Sequence, residues 1–394
     1  MKILFLSFYF EPDLCAGSFR NTALLNELLN QAPSGSSIDV ITTLPSRYSS
    51  FAIEATGHEK RGCATIHRIA LPAHKSGMVD QSKAFLFFAR EAIKIAGANK
   101  YDFVYASSSR LMTASLGAYL SRKLGSPLYL DIRDIFVDTI KDVLPAKLVW
   151  VLRPIFSLIE KWSFSRAAKI NLVSEGFRDY FEKSYLGIPL SFYTNGIDDE
   201  FLSQPICLNH TGNDEVPEIV YAGNIGEGQG LHNIIPSLAK CFEGQLKFKI
   251  IGDGGRRDQL IRALEADSVK NVEILSPIGR TELMEAYQDA DILFMHLNDY
   301  DAFLKVLPSK VFEYAALGKP IWAGVAGYAA SFINQYVNNA AVFNPCDVDG
   351  AVRVFEELSL TSELRSDFVE QFARSKIMKD MAADILNSVG SPKV

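Results

Sequence analysis

The chain has 394 residues, more than one ordinary hydrophobic core fills, so its length predicts two domains. With 48% hydrophobic and 22% charged residues it is globular in composition, and a formal net charge of −6 argues against nucleic acid as a general partner. No run of about eighteen uninterrupted apolar residues is present to span a bilayer.

The N-terminal "MKILFLSFYF" is apolar only briefly before Glu11, Pro12 and Asp13, and no small-residue cleavage site follows. It is better read as a first buried strand than as a signal peptide. Further strands are expected at 37–44, 64–71, 102–107, 127–132 and 169–174, with helix-period segments such as 20–31 and 108–125 between them. Continuous rather than alternating apolar strands separated by helices imply a parallel sheet covered on both faces. The five cysteines, Cys15, Cys63, Cys207, Cys241 and Cys346, are odd in number and scattered. They suggest neither a disulfide framework nor a zinc knuckle, and a reducing cytoplasm fits them.

Charge is uneven along the chain. Residues 1–200 hold 23 Lys and Arg against 20 Asp and Glu, and the remainder 17 against 26. Residues 141–169 carry six basic and two acidic residues interleaved with Leu, Val, Trp and Phe. That pattern suits a segment lying on an anionic membrane surface, or a core-packing helix with a solvated basic edge.

A polar stretch rich in turn formers, 203–218, reads as a linker, and the rhythm then restarts. Strands are expected at 219–223, 246–252, 272–276, 291–297, 320–324 and 340–344, and helical pattern fills roughly 348–389. The expected organisation is α/β: two doubly wound Rossmann-like domains, 1–200 and 201–365, facing across a cleft. A C-terminal helical segment, 366–394, packs back toward the first domain. Open parallel sheets bind ligands beyond the carboxyl ends of their strands. Glycines cluster at such ends: Gly17 after the first strand, Gly223, Gly226, Gly228 and Gly230 in "YAGNIGEGQGL", and the "IGDGG" at 251–255.

The glycine-rich loop 223–230 lets main-chain N–H groups approach an anion at the start of a helix near Leu231, although a plain tight turn also explains it. In "LPSKVFEYAALGKP", residues 307–320, Ser309 can cap a helix. The helix mouth and Lys310 make a positive focus for phosphate, and Glu313 one turn on can accept hydrogen bonds from both hydroxyls of a ribose. The structural alternative is a carboxylate that merely complements the helix dipole beside a solvated lysine. The "DAD" at 289–291 sits between a helix and a strand and reads as a turn, and the six histidines show no ligand spacing, so no metal is expected.

The order of "FYFEPDLCAGSFRNTALLNELL", "DVITTLPSRY", "LYLDIRDIF", "INLVSEGFRDYF", "YTNGIDDEF", "YAGNIGEGQGL", "IIGDG", "VEILSPIGRTELMEAYQDADILFMHL" and "LPSKVFEYAALGKPI" resembles glycosyltransferase family 4, retaining enzymes of the GT-B fold. The subgroup it most resembles builds O-antigen, capsule and exopolysaccharide units and includes N-acetyl-fucosaminyl transferases. The resemblance implies that Gly17 meets the donor phosphates and that Asn195 and Gly196 lie at the domain hinge. It implies further that Gly223 opens the phosphate loop, with Asn224 and Gly226 in it, and that Glu313 holds the nucleotide ribose. Arg133 and Asp134 fall where relatives place a His-Asp or Arg-Asp pair beside the reacting sugar.

Two departures stand out. Lys305 replaces the first acid of the family's glutamate pair, and Asn224 and Gln229 stand where many relatives carry Arg and Lys. Positive charge for the diphosphate is then expected from Lys310, with Lys305 or Arg256 in support.

The expected protein is a retaining glycosyltransferase, cytoplasmic or peripheral on the inner face of the plasma membrane. It takes a nucleotide-diphosphate sugar, UDP-linked, and a saccharide acceptor, lipid-linked or soluble, with no permanent cofactor or metal. Catalytic roles go to Asp134, Arg133 and Lys310, and donor binding to Gly17, Gly223, Asn224, Gly226, Ser309, Lys310 and Glu313. The alternatives are a non-hydrolysing sugar-nucleotide 2-epimerase and a catalytically silent GT-B scaffold subunit.

Overall fold

The structure, a computed structural model, describes residues 1–45, 55–72, 78–108, 110–143, 146–202 and 216–389. Most of the linker expected at 203–218, and Cys207 with it, lies outside these residues. The chain divides into two compact units, Met1–Asn195 with Arg374–Val394, and Gly196–Ala373.

The first unit runs β1 (Lys2–Ser7), α1 (Ala16–Gln31), β2 (Ser37–Thr43), β3 (His58–Arg61), β4 (Ala64–Ile69), α2 (Met78–Gly97), β5 (Phe103–Ser108), α3 (Leu111–Leu124), β6 (Leu128–Ile132), α4 (Phe136–Val143), α5 (Ala146–Phe164), β7 (Lys169–Leu172), α6 (Arg178–Ser184) and β8 (Leu190–Ser191). Its sheet is ordered β3-β4-β2-β1-β5-β6-β7-β8. β1 is central, with Ile3 opposite both Ile38 and Phe103, and it is buried on both faces, which is why its sequence reads as an unbroken apolar run.

The sheet is parallel except at one edge, where β3 pairs antiparallel with β4. The sequence reading missed β3. Its four residues, HEKR, carry no apolar period, and none of them is buried. Only Gly62 and Cys63 separate the two strands, and Gly62 takes φ +57°. A two-residue connection can join antiparallel strands, whereas a parallel pair needs a crossover of a dozen or more residues.

The second unit runs α7 (Asp199–Leu202), β9 (Glu218–Asn224), α8 (Leu231–Cys241), β10 (Lys247–Asp253), α9 (Arg257–Ala266), β11 (Val272–Leu275), α10 (Arg280–Asp289), β12 (Ile292–His296), α11 (Lys310–Ala316), β13 (Ile321–Gly324), α12 (Gly327–Tyr336), β14 (Ala340–Phe343), α13 (Val348–Phe355) and α14 (Ser366–Phe372). Its strand order is β11-β10-β9-β12-β13-β14, and every pairing is parallel. Fully buried Trp322 on β13 packs among Phe242, Phe294, Phe343 and Phe355. Arg365, also buried, donates to the carbonyls of Ala315, Lys319 and Asn338 and so ties the end of α11 to the loops around it.

The chain passes from the second unit to the first between Ala373 and Arg374. The helical tail is therefore shared: α14 belongs to the second unit, and α15 (Arg374–Val389) to the first. Met378, Met381, Ala382 and Ile385 of α15 complete the core beside Leu24, Leu25 and Leu28 of α1. Near the crossing, the Ile197 amide donates to the Phe372 carbonyl at 2.8 Å.

Candidate active site

In each sheet the strand order reverses direction at one place, between β1 and β5 in the first and between β9 and β12 in the second. Connections leave such a switch point in opposite directions and open a crevice beyond the strand ends, the usual ligand position in open α/β sheets. The sequence-predicted residues of each unit gather there.

In the first unit, Gly17 lies in the first turn of α1, just after β1, and Arg133 directly follows β6. The Arg133 guanidinium fills the space that a Cβ on Gly17 would occupy, so glycine is what permits the approach. Nε and Nη1 of Arg133 are buried with no hydrogen-bond partner. Water reaches Asp134, but low-dielectric protein still crowds its carboxyl and pushes the pKa up to about 6, with Arg133 pulling the other way.

Beneath these residues lies a group that the sequence reading did not single out. Arg20 and Asp131 are both 0% exposed and form an ion pair at 2.8 Å. Asp131 also accepts from the Tyr105 hydroxyl at 3.1 Å and from Asn171 Nδ2 at 2.7 Å. Arg20 donates to the carbonyls of Tyr193, at 2.8 Å, and Thr194, at 2.5 Å. Burial alone would raise the Asp131 carboxyl, but Arg20, with Asn171 and Arg133, more than offsets it and the net shift is downward.

In the second unit, β9 ends at the glycine-rich loop. Gly223 has φ +145°, and a Cβ there would fall on Lys310 Nζ and lie 3.1 Å from Cε. Lys310, the first residue of α11, is half-buried and reaches back across this strand end, its Nζ 5.0 Å from the centre of the Tyr221 ring. Burial lowers its pKa, and Glu313 works against that. The solvated lysine of the structural alternative is thus not what is found.

Glu313 is half-buried in the first turn of α11. Besides Lys310, the cation whose charge it influences is Arg280, which opens α10 and binds Glu200 at 2.6 Å and Asp198 at 2.9 Å. Burial pulls Arg280 down, but Glu313 first, then the other two acids, leave it raised. Arg280 sits inside a stretch that carried the family resemblance, yet no local spacing pointed to it.

Loop 223–230 is braced from behind. Asn298 donates from its amide to the Gly228 carbonyl and from Nδ2 to the Glu227 carbonyl, both at 2.9 Å. His296 Nδ1 meets the Gln229 carbonyl at 2.7 Å, while its Nε2 accepts the Cys346 amide at 2.9 Å. Because Nε2 accepts, the proton belongs on Nδ1, and burial lowers the ring's pKa to about 4. Asn224 and Gln229, expected in the loop, hydrogen-bond each other at 2.6 Å, and Gly226 packs on Asn224.

The surroundings of three further residues are as follows. Arg256 is engaged by Glu227 and Gln259, so it is not a free cation beside the loop. Ser309 stands at the N-cap of α11 in helical conformation and makes no side-chain capping hydrogen bond. Lys305 ends a one-turn helix, Asp301–Lys305, and is half-buried.

The Asp291 carboxylate accepts the Glu218 amide at 2.8 Å, and Asp289 ends α10, so "DAD" joins a helix to a strand. Among the described residues no group of three or more His, Cys, Asp or Glu is placed to hold a metal ion.

Replacing Gly223 with alanine puts a methyl group into the Lys310 ammonium and a side chain at a φ suited to glycine. UDP affinity is expected to fall about tenfold or more, which corresponds to ~1.4 kcal/mol. Calorimetric titration checks this, with the Asp289→Asn variant as a neutral comparison.

Two doubly wound units in one chain are the architecture of the GT-B fold. Known proteins narrow the class. Residues 209–374, within or bordering the second unit, match the family described as glycosyl transferases group 1. A 100-residue stretch is 30% identical to the putative colanic acid biosynthesis glycosyl transferase WcaI of Escherichia coli (strain K12), and covers 25% of this chain and 24% of that protein.

Among solved structures, Anabaena Alr3699/HepE in complex with UDP-glucose has a TM-score of 0.67 at 15% identity, over 98% of this chain and 100% of that one. Sucrose-phosphate synthase from Thermosynechococcus elongatus has a TM-score of 0.67 at 13% identity, over 98% and 95%. The apo form of the lipopolysaccharide outer core galactosyltransferase WaaB has 0.62 at 10% identity, over 98% and 99%. These likenesses give the fold, GT-B.

Proposed function

We propose that the chain is a retaining glycosyltransferase that moves a sugar from a nucleotide diphosphate, UDP in the first instance, to a lipid-linked saccharide in the assembly of a bacterial surface polysaccharide. One observation carries the reading: the Lys310 ammonium lodged against Gly223 at the end of β9, with Glu313 one turn further on. A cation beside a glycine-opened strand end suits a diphosphate, and an acid in that first turn suits ribose hydroxyls. The match of 209–374 to glycosyl transferases group 1 supports it, as do UDP and UDP-glucose complexes of a protein with the same fold. The resemblance to O-antigen and capsule transferases makes N-acetylfucosamine one candidate sugar among the hexoses and N-acetylhexosamines. The corresponding location is the cytoplasmic face of the plasma membrane.

The second unit would hold the donor and the first the acceptor. As the bond from the anomeric carbon to the diphosphate breaks, the acceptor oxygen bonds to the same face of that carbon. The acceptor's proton passes to the departing phosphate oxygen. Lys310 offsets the charge that grows on the diphosphate, in surroundings where a fixed cation counts for more than in water. Arg133, with Nε and Nη1 unpaired, and Asp134 would stand beside the reacting sugar.

With its carboxyl at about 6, Asp134 is ionised above that pH and neutral below it. If the carboxylate is the working form, kcat/KM rises with pH through about 6, and Asp134→Asn removes that limb along with most of the activity; a profile from pH 5 to 8 checks this. The reading as a whole is tested by screening nucleotide sugars for release of UDP or GDP with lipid-extract acceptors. Release from one donor that depends on acceptor supports it. Conversion of UDP-N-acetylglucosamine to its 2-epimer, or no turnover of any donor, overturns it.

A further inference from the structure

α5 has two apolar faces, and only one of them is used by the fold. Its inner face is firmly held. Phe156 meets Phe136 of α4 edge to face at 5.0 Å between ring centres. Ser163 Oγ lies 2.8 Å from Ser115 Oγ of α3, and buried Glu160 accepts hydrogen bonds from Tyr180 and Tyr185 on and after α6. The outer face carries Leu148, Val151, Ile155, Leu158 and Trp162 in steps of three and four residues, a single stripe along the helix. Every one of them is exposed, Leu158 at 71%, and Trp150 beside the stripe at 83%. Soluble proteins seldom leave an apolar row of this length open to water without something that covers it.

The surroundings say what covers it. Lys147, Arg153 and Lys161 flank the stripe and are exposed, and the one acid of α5, Glu160, is buried. α3 packs beside α5 and α2 beside α3. These helices add exposed Arg122 and Lys123, and exposed Lys83, Arg90 and Lys94, against two half-buried acids, Asp80 and Glu91. Beside the stripe, Lys141, Trp150, Arg153 and Pro154 wall a recess of about 580 Å³.

Protein–protein interfaces are depleted in lysine. A twofold dimer through this face would set the same cations of two copies against each other, because a twofold interface uses the same patch on both subunits. An anionic bilayer instead offers phosphates to the cations and an apolar boundary to the leucines, while tryptophan favours the depth between them.

We propose that the outer face of α5, with the cations of α2 and α3, docks the first unit flat on an anionic lipid bilayer. No helix among the described residues is long and apolar enough to cross a membrane, so the attachment is one of lying on the surface. The inference rests on the proposed function in one respect, since a lipid-linked acceptor explains why such an attachment would be useful.

The test uses the full chain and no nucleotide sugar, so its failure is distinct from failure of the transferase reading. Cosedimentation with vesicles of phosphatidylcholine containing phosphatidylglycerol is compared with phosphatidylcholine alone. Binding is expected to the first and to be largely absent with the second. Reversing Lys147, Arg153 and Lys161 to glutamate is expected to weaken binding roughly a hundredfold. Leu158→Glu, on an exposed position, is expected to abolish the apolar component, with the thermal melting curve unchanged. Trp150 and Trp162 are expected to be quenched by nitroxide-labelled lipid, whereas buried Trp322 supplies an unquenched remainder. Equal binding to both vesicles, no binding to either, or binding indifferent to Leu158→Glu overturns the proposal. A dimer that Leu158→Glu converts to monomer, without vesicle binding, overturns it in favour of a second copy of this chain.

Discussion

Lys310→Met is expected to lower kcat/KM for the nucleotide sugar by about 10² to 10³-fold while leaving the protein as stable as before, or slightly more so. The loss follows the usual effect of removing one charge-stabilising group from a site of this kind. The unchanged stability follows from the sign of the pKa shift. Burial lowers the Lys310 pKa, so the folded state disfavours the ammonium relative to the unfolded chain. A cation in that position costs stability in full at any pH below its folded pKa, and the cost fades as pH rises from that value to the higher pKa of the unfolded chain. Methionine keeps the stem that covers Gly223 and removes the charge.

A lysine kept for structure alone would behave in the opposite way, with activity retained and the melting temperature reduced. Steady-state kinetics and thermal unfolding on the same preparation separate the two cases. Glu313→Gln supplies a companion measurement: it should weaken UDP binding more than binding of inorganic pyrophosphate, since the pyrophosphate lacks a ribose.

The second large effect is structural. Arg20→Ala leaves the Asp131 carboxylate 0% exposed and without its cation, and should destabilise the first unit by about 3–5 kcal/mol. The Tyr105 and Asn171 hydrogen bonds to Asp131 soften this loss but do not replace a charge. Native-state hydrogen exchange is the suitable measurement, because it reports each unit by its own amides. Amides of β1 and β6 should lose protection, while those of β9 and β10 in the second unit serve as the internal reference. A change of less than about 1 kcal/mol at β1 would show that Asp131 finds another partner or takes up a proton.

The pair also bears on the site. Asp131 ends its bonding network two residues before Arg133, and Arg20 lies three residues after Gly17, so the same contact that holds α1 to β6 holds the two halves of the first-unit site in register.

How far the sequence revealed this molecule follows from the range of the forces involved. All twelve strands expected from apolar runs are present, because strands that lie largely buried in a parallel sheet are mostly apolar, and that is visible locally. β3 was invisible because its exposed HEKR has no period and its identity depends on a partner strand across a two-residue turn. Gly223 was legible as a strand-end glycine, and its positive φ and its contact with Lys310 give the physical reason. Lys310 itself was legible because the helix start, the lysine and the acid lie within a few residues of one another.

The Arg20–Asp131 pair spans 111 residues, and neither residue has a neighbour in sequence that announces it. Arg280 is paired with Asp198 and Glu200, some eighty residues earlier, and was hidden for the same reason. Arg256 shows the converse error. A cation near a glycine-rich loop looks available to a ligand until Glu227, inside that loop, is found to hold it. Asn298 and His296 brace the loop from the end of the neighbouring strand, which only the order β9-β12 brings beside it.

The most direct measurement is a crystal structure of the protein with UDP bound. The account predicts the β-phosphate within hydrogen-bonding distance of Lys310 Nζ and of main-chain N–H groups in loop 223–230, with both ribose hydroxyls on the Glu313 carboxylate. UDP bound elsewhere, or bound there with Glu313 out of reach of the ribose, would contradict it.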